Sequence, residues 1–494
     1  MSRIYLTVSI PYVNARPHLG YALELVEADV VARTRRLLGE EVRFLGGTDE
    51  NALKNVLAAE QAGIAVAALV EENAERFAAL RLPLDITFDD FIRTSTDPRH
   101  RPAVEALWRV CAKRGDFYLR RYEGRYCVGC EQFYLDSDLV DDCCPEHGTP
   151  PEFVAEENWF FRLSRYQDQL LRLIESKELV IAPDAYRNEV LGVLRGGLED
   201  ISVSRPSERA RGWGIPVPGD PSQVVYVWWD ALANYVSALG YGGDPADYRR
   251  WWVESDERVH VIGKGILRFH ALYWPALLMS AGEPLPTTIY VHPYLTADGQ
   301  KLSKSSGHMV DPVDVVDAYG SDALRWWLVR DVPPAADTDY TAERLIARAN
   351  EDLANGIGNL TNRTITMARQ VFSGGLFDGS VGERERHLIE SARLAALRAL
   401  DLRDFDFRAA TAPLLAVVAD ANRLIEEKRP WELVKSDPTG AAGVLRSLLD
   451  ACGLIAKALS PFVPTVAARL QAQLDAPLDG ALPPPGFRRL DPPS

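Results

Sequence analysis

The chain has 494 residues, 47% hydrophobic and 25% charged, the balance of a folded protein of two to four domains rather than of a disordered or fibrous one. Its net charge of −15 excludes general coating of nucleic acid, which needs clustered Lys and Arg, but leaves room for a shaped RNA interface with a local basic face. Met1–Leu6 does not read as a secretory signal and no apolar run is long enough to span a bilayer, so a cytoplasmic protein without a membrane partner is expected.

Residues 1–115 alternate short apolar runs, Ile4–Val8 and Val42–Leu45, with helical periodicity over Leu23–Leu38, Leu53–Ala62 and Val66–Leu80. That rhythm predicts βα units building the first half of a Rossmann-type parallel sheet, an α/β fold. Between the first run and the first helix stands His18-Leu19-Gly20-Tyr21. An imidazole held where a strand turns into a helix can meet ATP phosphates beside backbone N–H groups and the positive helix end.

The rhythm breaks over 116–215, which reads as an insertion splitting the sheet domain. Four of the six cysteines fall here, and Cys127-Val-Gly-Cys130 with Cys144-Pro-Glu-His147 forms two short knuckles that can close a tetrahedron around a structural Zn2+. Cys143 can replace Cys144, although Cys144 leaves two residues before His147 and so matches the first knuckle. A disulfide is disfavoured in a reducing compartment. Cys111 and Cys452 sit in helical apolar patterns as core thiols.

The sheet pattern resumes over 216–340 with Val224–Val227, Val259–Ile262 and Thr288–Val291. Lys301-Leu302-Ser303-Lys304-Ser305 follows on a Ser- and Gly-containing loop, where two cations can neutralise charge building on phosphates during attack at the α-phosphorus. Either motif alone is commonplace; both, in this order after these strands, point to ATP-driven activation of a carboxylic acid. Asp311-Pro312 then signals a helix start. From 341 strands vanish, and Thr341–Phe372, Glu383–Asp401, Asp406–Lys428, Gly440–Leu459 and Pro464–Leu474 predict an all-α bundle over 341–475, before a Pro- and Gly-rich tail, 476–494.

Several blocks in this order resemble the class I aminoacyl-tRNA synthetases, in their methionyl branch, over nearly the whole chain: Ile10-Pro11-Tyr12-Val13-Asn14 through Tyr21, Gly47-Thr48-Asp49-Glu50, the knuckles, Tyr226-Val227-Trp228, Gly263-Lys264 with Arg268-Phe269-His270, the lysine loop and Arg429-Pro430-Trp431. The resemblance implies an ATP site with Mg2+ at His18, Gly20, Gly263, Gly265 and Lys304, and chemistry at His18, Tyr21, Lys301, Lys304 and Arg205. It implies an amino-acid pocket of Ile10, Tyr12, Trp228, Tyr235, Phe269 and His270, with Asp49 holding the ammonium group. It also implies anticodon contacts from Asn359, Arg363 and Trp431 and, without a C-terminal dimerisation module, a monomer. Core packing competes for Trp228 and Phe269, and a buried helix start for Trp431.

The chain departs from the family pattern at three places in the site: Tyr21 where it has His, Asn51-Ala52 where it has His-Gly, and Gly265 where it has an Asp near the adenosine ribose. Methionine activation to methionyl-adenylate and transfer to the 3′ end of methionine tRNA is the leading expectation. The departures keep open a paralogue that passes an activated amino acid to a small-molecule acceptor. A pseudo-enzyme is disfavoured by the retention of His18, Asp49, Lys301 and Lys304.

Overall fold

The computed structural model describes residues 2–494 except 129–131, 135, 146–147, 298–299, 302–308, 372–378, 478–480, 482 and 493–494, with backbone alone for 132, 137, 300 and 301. Two compact units divide it: Met1–Ala28, Arg35–Tyr294 and Lys301–Pro312 form one, and Asp29–Thr34, Leu295–Gln300 and Val313–Ser494 the other.

In the first unit β1 (Arg3–Val8) is followed by α1 (Leu19–Leu37), β2 (Glu41–Thr48), α2 (Leu53–Ala62), α3 (Val66–Ala79), β3 (Asp90–Arg93) and α4 (His100–Lys113). Next come β4 (Phe117–Cys127), β5 (Gln132–Tyr134), β6 (Glu152–Phe161), α5 (Gln167–Glu175), β7 (Val180–Ala182) and α6 (Asp184–Gly196). Short strands β8 (Ile201–Ser202), β9 (Ser204–Pro206), β10 (Pro216–Val217) and β11 (Asp220–Val225) lead to α7 (Val227–Ser237), β12 (Glu257–Gly263) and β13 (Thr288–His292).

Six strands make one parallel sheet in the order β3-β2-β1-β12-β13-β7. The chain runs outward from β1 to β3, then restarts on the other side of β1 with β12 and β13. The order therefore reverses between β1 and β12, and in open parallel sheets ligands bind in the crevice outside the strands' carboxyl ends at that point. Burial on both faces makes β1 the near-continuous apolar run Ile4–Val8.

Inside the stretch 116–215, β4 and β6 pair antiparallel from Phe117↔Phe161 to Tyr126↔Glu152, flanked by β5 and β8. Periodicity gave no parallel strand there, yet β7 adds one beside β13, with Ile289 opposite Ile181. Three residues are too few to carry a period. The run Val224–Val227 also differs from expectation. The strand stops at Val225, Tyr226 stays extended, and Val227 begins α7. Every residue of α7 is buried, and an apolar run covered on all sides has no period that separates strand from helix.

The second unit is helical, with Ser321–Asp331, Glu383–Leu400, Phe407–Lys428, Pro438–Leu459 and Pro464–Asp475 among its helices. Caps fix several starts: the side chains of Thr341, Asp406 and Asp437 accept from the N–H groups of Arg344, Ala409 and Gly440 at 3.2, 2.9 and 2.8 Å. The run expected as one helix from Thr341 is not uniform: α-helix over Ala342–Ala349, wider π-type turns over Asn350–Gly358, then α-helix over Asn359–Val371. Gly358 suits the wide turns, because a Cβ there would lie 2.7 Å from the Leu353 carbonyl oxygen. Among the described residues no single helix is long and apolar enough to cross a membrane.

Gly47, near the end of β2, shows how tightly the sheet closes around the crevice. A Cβ there would lie 2.6 Å from the Ile92 carbonyl oxygen and 2.9 Å from the Ile10 Cγ2. Gly47→Ala should cost about 1–3 kcal/mol, the usual penalty of overpacking. Urea unfolding of the two proteins side by side checks this, and coincident midpoints would show that the strands separate at no cost.

Candidate functional site

The crevice is built from the ends of β1, β2 and β12 and the starts of α1 and α7. Beyond β2, Asp49 forms an isolated parallel bridge with Tyr12, and its N–H donates to the Pro11 carbonyl at 2.9 Å. Asn55 on α2 donates its amide to the Asp49 and Glu50 carbonyls at 3.2 and 3.0 Å, and the Trp213 indole N–H adds a 2.8 Å bond to the Glu50 carbonyl. The Glu50 carboxylate accepts from Thr48 and from the Arg93 Nε, each at 2.7 Å, and from the Ser95 hydroxyl. Glu50 is thus structural. Its anchorage fixes the backbone that carries Asp49, whose carboxylate is 2% exposed.

His18 immediately precedes α1, and its carbonyl accepts from the Tyr21 and Ala22 N–H groups. The Gly20 N–H donates to the His18 Nδ1 at 3.1 Å, and a Cβ at position 20 would sit 3.0 Å from the ring. Glycine lets the imidazole fold against the helix start. With Nδ1 as acceptor the neutral ring carries its proton on Nε2, which is then a donor. Tyr21 points elsewhere. It is buried edge-on to Phe77 at 5.3 Å, and its hydroxyl has no hydrogen-bond partner among the described residues. Burial, with the nearby Glu24 charge, raises its pKa well above the ordinary phenol value, so it stays neutral.

A cavity of about 130 Å³ opens among Ser9, Ile10, Tyr12, Trp228, Tyr235 and His270. It is well below the ~300–1,000 Å³ of sites for drug-sized ligands, and suits a side chain rather than a nucleotide. Trp228 stacks on Phe269 at 3.7 Å and 8°, and Tyr12 meets Trp228 edge-on at 6.2 Å. His270 donates Nδ1–H to the Ile266 carbonyl at 3.0 Å, so its Nε2 accepts from the Tyr235 hydroxyl at 2.7 Å. Burial pulls the His270 pKa down to about 4, which leaves the ring uncharged at neutral pH. The rings of this wall are therefore uncharged, and Asp49 is joined by its backbone bridge to Tyr12 of the lining.

Arg205 stands apart from this cavity. It is buried among Tyr126 and Tyr226, donates to the Tyr126 hydroxyl, and lines a second cavity of about 150 Å³ against the β4–β6 strands. In the helical unit Asn359 and Arg363 lie one turn apart, and the Arg363 guanidinium sits 5.8 Å from the Trp431 ring centroid while pairing with Glu426 at 2.6 Å. Cys127 and Cys144 share a small buried cluster with Tyr134, and Cys144 contacts the Tyr134 hydroxyl at 3.4 Å. Cys143 instead bridges Val140. Cys130, His147 and Lys304 lie outside the described residues, and Lys301 ends a two-residue strand described by its backbone. Among the described residues no three His, Cys, Asp or Glu side chains gather as a metal site.

Two buried networks escaped the sequence reading. Asn51 donates its amide to Asp230 of α7 at 2.7 Å, and His100 holds the other Asp230 oxygen while its Nδ1 meets Ser237 at 2.8 Å. The end of β2 is thereby tied to the helix that carries Trp228 and Tyr235. Under the crevice, the Glu24 carboxylate accepts from the Ser9 N–H and hydroxyl at 2.7 and 2.6 Å and from the His292 Nε2 at 3.0 Å. His292 donates Nδ1–H to the Pro293 carbonyl at 2.8 Å. Burial opposes its charge, but the Glu24 bond outweighs that and raises its pKa. A signal was available: Glu24 and Glu27 stand on the apolar stripe of α1, where unpartnered carboxylates do not survive.

A family model for class I tRNA synthetases (M) matches residues 4–150 and 134–365, and one for the anticodon binding domain of methionyl tRNA ligase matches 377–484. The chain is 40% identical over 485 residues to a methionine–tRNA ligase of Brucella suis biovar 1, covering 97% of this chain and 92% of that one. It is also 40% identical over 482 residues to one of Thermotoga maritima, at 94% and 73% coverage. A solved Mycobacterium tuberculosis methionyl-tRNA synthetase in complex with methionyl-adenylate superposes with a TM-score of 0.89 at 38% identity, covering 100% of this chain and 99% of that one. Its free-state form gives 0.83 at 36%, with 100% and 97% coverage.

The buried acids leave a pH signature in stability. Burial lifts the Glu27 pKa from 4.5 to about 7, against the opposing His292 charge and Tyr290 hydroxyl bond. Between those values the native state holds a proton that the unfolded state has lost, so this contribution is full below about pH 4.5 and fades as pH rises through 7. Glu27→Gln removes this share of the dependence, leaving that of His292, and should gain on the order of 3 kcal/mol on wild type between pH 5 and pH 8. Urea unfolding at both pH values measures it, and parallel stability curves would place the titration elsewhere.

Proposed function

The chain belongs to the methionyl branch of the class I tRNA synthetases, and from that premise we propose how its residues activate methionine with ATP and pass it to methionine tRNA. The aromatic cavity beside Asp49 carries the proposal. A flexible thioether suits aromatic walls, and a buried ammonium needs a carboxylate. Methionine enters with its side chain among Tyr12, Trp228, Tyr235, Phe269 and His270 and its ammonium on Asp49. Because His270 and Tyr235 satisfy each other, the wall adds no charge that an apolar side chain would have to pair.

ATP, delivered with Mg2+, lies in the crevice at the switch point, its phosphates against His18 and the start of α1 and its adenosine beside Gly263–Gly265. The His18 Nε2–H donates to a phosphate oxygen. Lys301 and Lys304 neutralise the charge that builds as the methionine carboxylate oxygen attacks the α-phosphorus and pyrophosphate leaves. Arg205 attends from the neighbouring cavity, as a positioning residue for the second half-reaction, in which the terminal ribose hydroxyl of tRNA attacks the acyl carbon and releases AMP. Asn359 and Arg363 on one helix and Trp431 on the short helix Pro430–Leu433 read the anticodon; the Arg363 guanidinium beside the Trp431 ring brings the two helices' side chains to one place, where a base can stack. The acting form is a cytoplasmic monomer. Tyr21 acts through packing rather than on phosphate, since its ring is turned to Phe77. Asn51 keeps a donor for Asp230, so this departure is compatible with an intact site.

Zinc fits the thiols of the insertion. Cys127 and Cys144 share one buried cluster, and two soft donors side by side suit Zn2+. With Cys130 and His147 they would hold a closed structural ion that fixes the hairpins and takes no part in the chemistry.

Methionine-dependent ATP–pyrophosphate exchange followed by charging of methionine tRNA tests the function. Exchange without charging, or with another amino acid, would transfer support to a small-molecule acceptor. Asp49→Asn should raise the methionine KM about a hundredfold or more with the ATP KM nearly unchanged, as for one partner lost from a buried charge pair. Lys304→Ala should lower the exchange rate far more than methionine affinity, and an unchanged rate would remove that loop from the chemistry. Freshly purified protein should contain one zinc per chain. Chelation should increase proteolysis within 116–215 before exchange is lost, and metal-free protein as isolated would count against the four ligands.

A further inference from the structure

Gly265 lies in the tight turn Lys264–Ile266 that follows β12, on the wall of the crevice. The last register pair of the two strands is Gly263 with His292, and in the segments just beyond them the Tyr294 ring comes against Gly265. A Cβ on Gly265 would collide with the Tyr294 hydroxyl and lie 3.2 Å from its Cζ. The Lys264 Nζ lies 4.5 Å from the centroid of the same ring. The phenol is thus clamped between a cation and a bare stretch of backbone, and its hydroxyl stands where any larger side chain at 265 would begin.

We propose that the Tyr294 hydroxyl holds the ribose of the nucleotide, in place of a carboxylate at position 265. The inference rests on the ATP site described above. β12 is one of the two strands at the switch point, so the turn after it borders the ligand crevice. A ribose presents hydroxyls that both donate and accept; a phenol hydroxyl does both as well, whereas a carboxylate only accepts. Gly265 and Tyr294 then act as one unit, the glycine being required so that the ring can reach the crevice. The cation–π contact holds the ring in place without adding negative charge beside the phosphates.

Direct binding of ATP, 2′-deoxy-ATP and 3′-deoxy-ATP to the full chain by calorimetry, with methionine binding and thermal unfolding as controls, tests this. Tyr294→Phe should weaken ATP binding about two- to tenfold, the worth of one neutral hydrogen bond, and should erase the preference for ATP over at least one deoxy analogue. Gly265→Asp should lose ATP binding through the collision, and Gly265→Asp with Tyr294→Ala should recover it. If Tyr294→Phe keeps both the wild-type affinity and the wild-type discrimination, the proposal fails. Should that variant unfold, Gly265→Ala, which displaces the hydroxyl with a single methyl, decides in the same way. Ribose-sensitive ATP binding in a wild type that gives no methionine-dependent exchange would sink the ligase function while leaving Tyr294 its role.

Discussion

Glu24 is the group that the crevice rests on. Its carboxylate lies under the switch point and gathers Ser9 from the end of β1 and His292 from the end of β13 onto the first turns of α1. Parallel strands pair through their backbones, but nothing in that pairing fixes how their carboxyl ends splay. A buried anion with three donors does so, because each donor it lost would leave polar groups buried without compensation. His18, Gly20, Ile10 and Tyr12 all hang from the two segments that Glu24 joins. Glu27 lies one turn on, bonded to Tyr290, and the pair shows what α1 gives up in intrinsic stability to organise the site.

The amino-acid cavity follows a complementary rule. Its histidines bond to neighbours, His270 between Ile266 and Tyr235, and His260 below, which accepts from the Trp274 indole and donates to Thr7, while the Trp228 indole N–H has no partner among the described residues. Burial lowers both histidine pKa values, so neither ring brings charge to the wall. Selectivity against other apolar side chains must then come from volume, which discriminates by only about 1–3 kcal/mol per methylene. In the proposed reading the ammonium group meets one buried carboxylate, Asp49, which would set orientation rather than side-chain choice.

The three departures from the family pattern look alike as letters and differ as physics. Tyr21 is turned into the core against Phe77. Asn51 keeps a donor aimed at Asp230 and so preserves the tie between β2 and α7. Gly265 is met by the Tyr294 hydroxyl, which occupies the space a side chain there would take. A substitution at a site is read by what fills the space and takes up the hydrogen bond, and for two of the three positions a named neighbour does so.

The letters alone determined most element types, the parallel sheet and the helical C-terminal unit, because periodicity and caps act locally: Ile4–Val8 and Leu53–Ala62 needed no partner to be recognised. Ordered motifs also named residues, Tyr12, Trp228, Tyr235 and His270 among them, that the fold gathers around one cavity. Tertiary structure decided what depends on contact between distant segments. It returned the three-residue β7 to the main sheet, ended β11 two residues early, packed Tyr21 against Phe77, and placed Arg205 in a cavity apart from the aromatic one. It also brought together Glu24 with His292 and Asn51 with Asp230, pairs 268 and 179 residues apart. Hydrogen-bond satisfaction and register across a sheet are properties of the folded arrangement, so no local pattern in the chain encodes them.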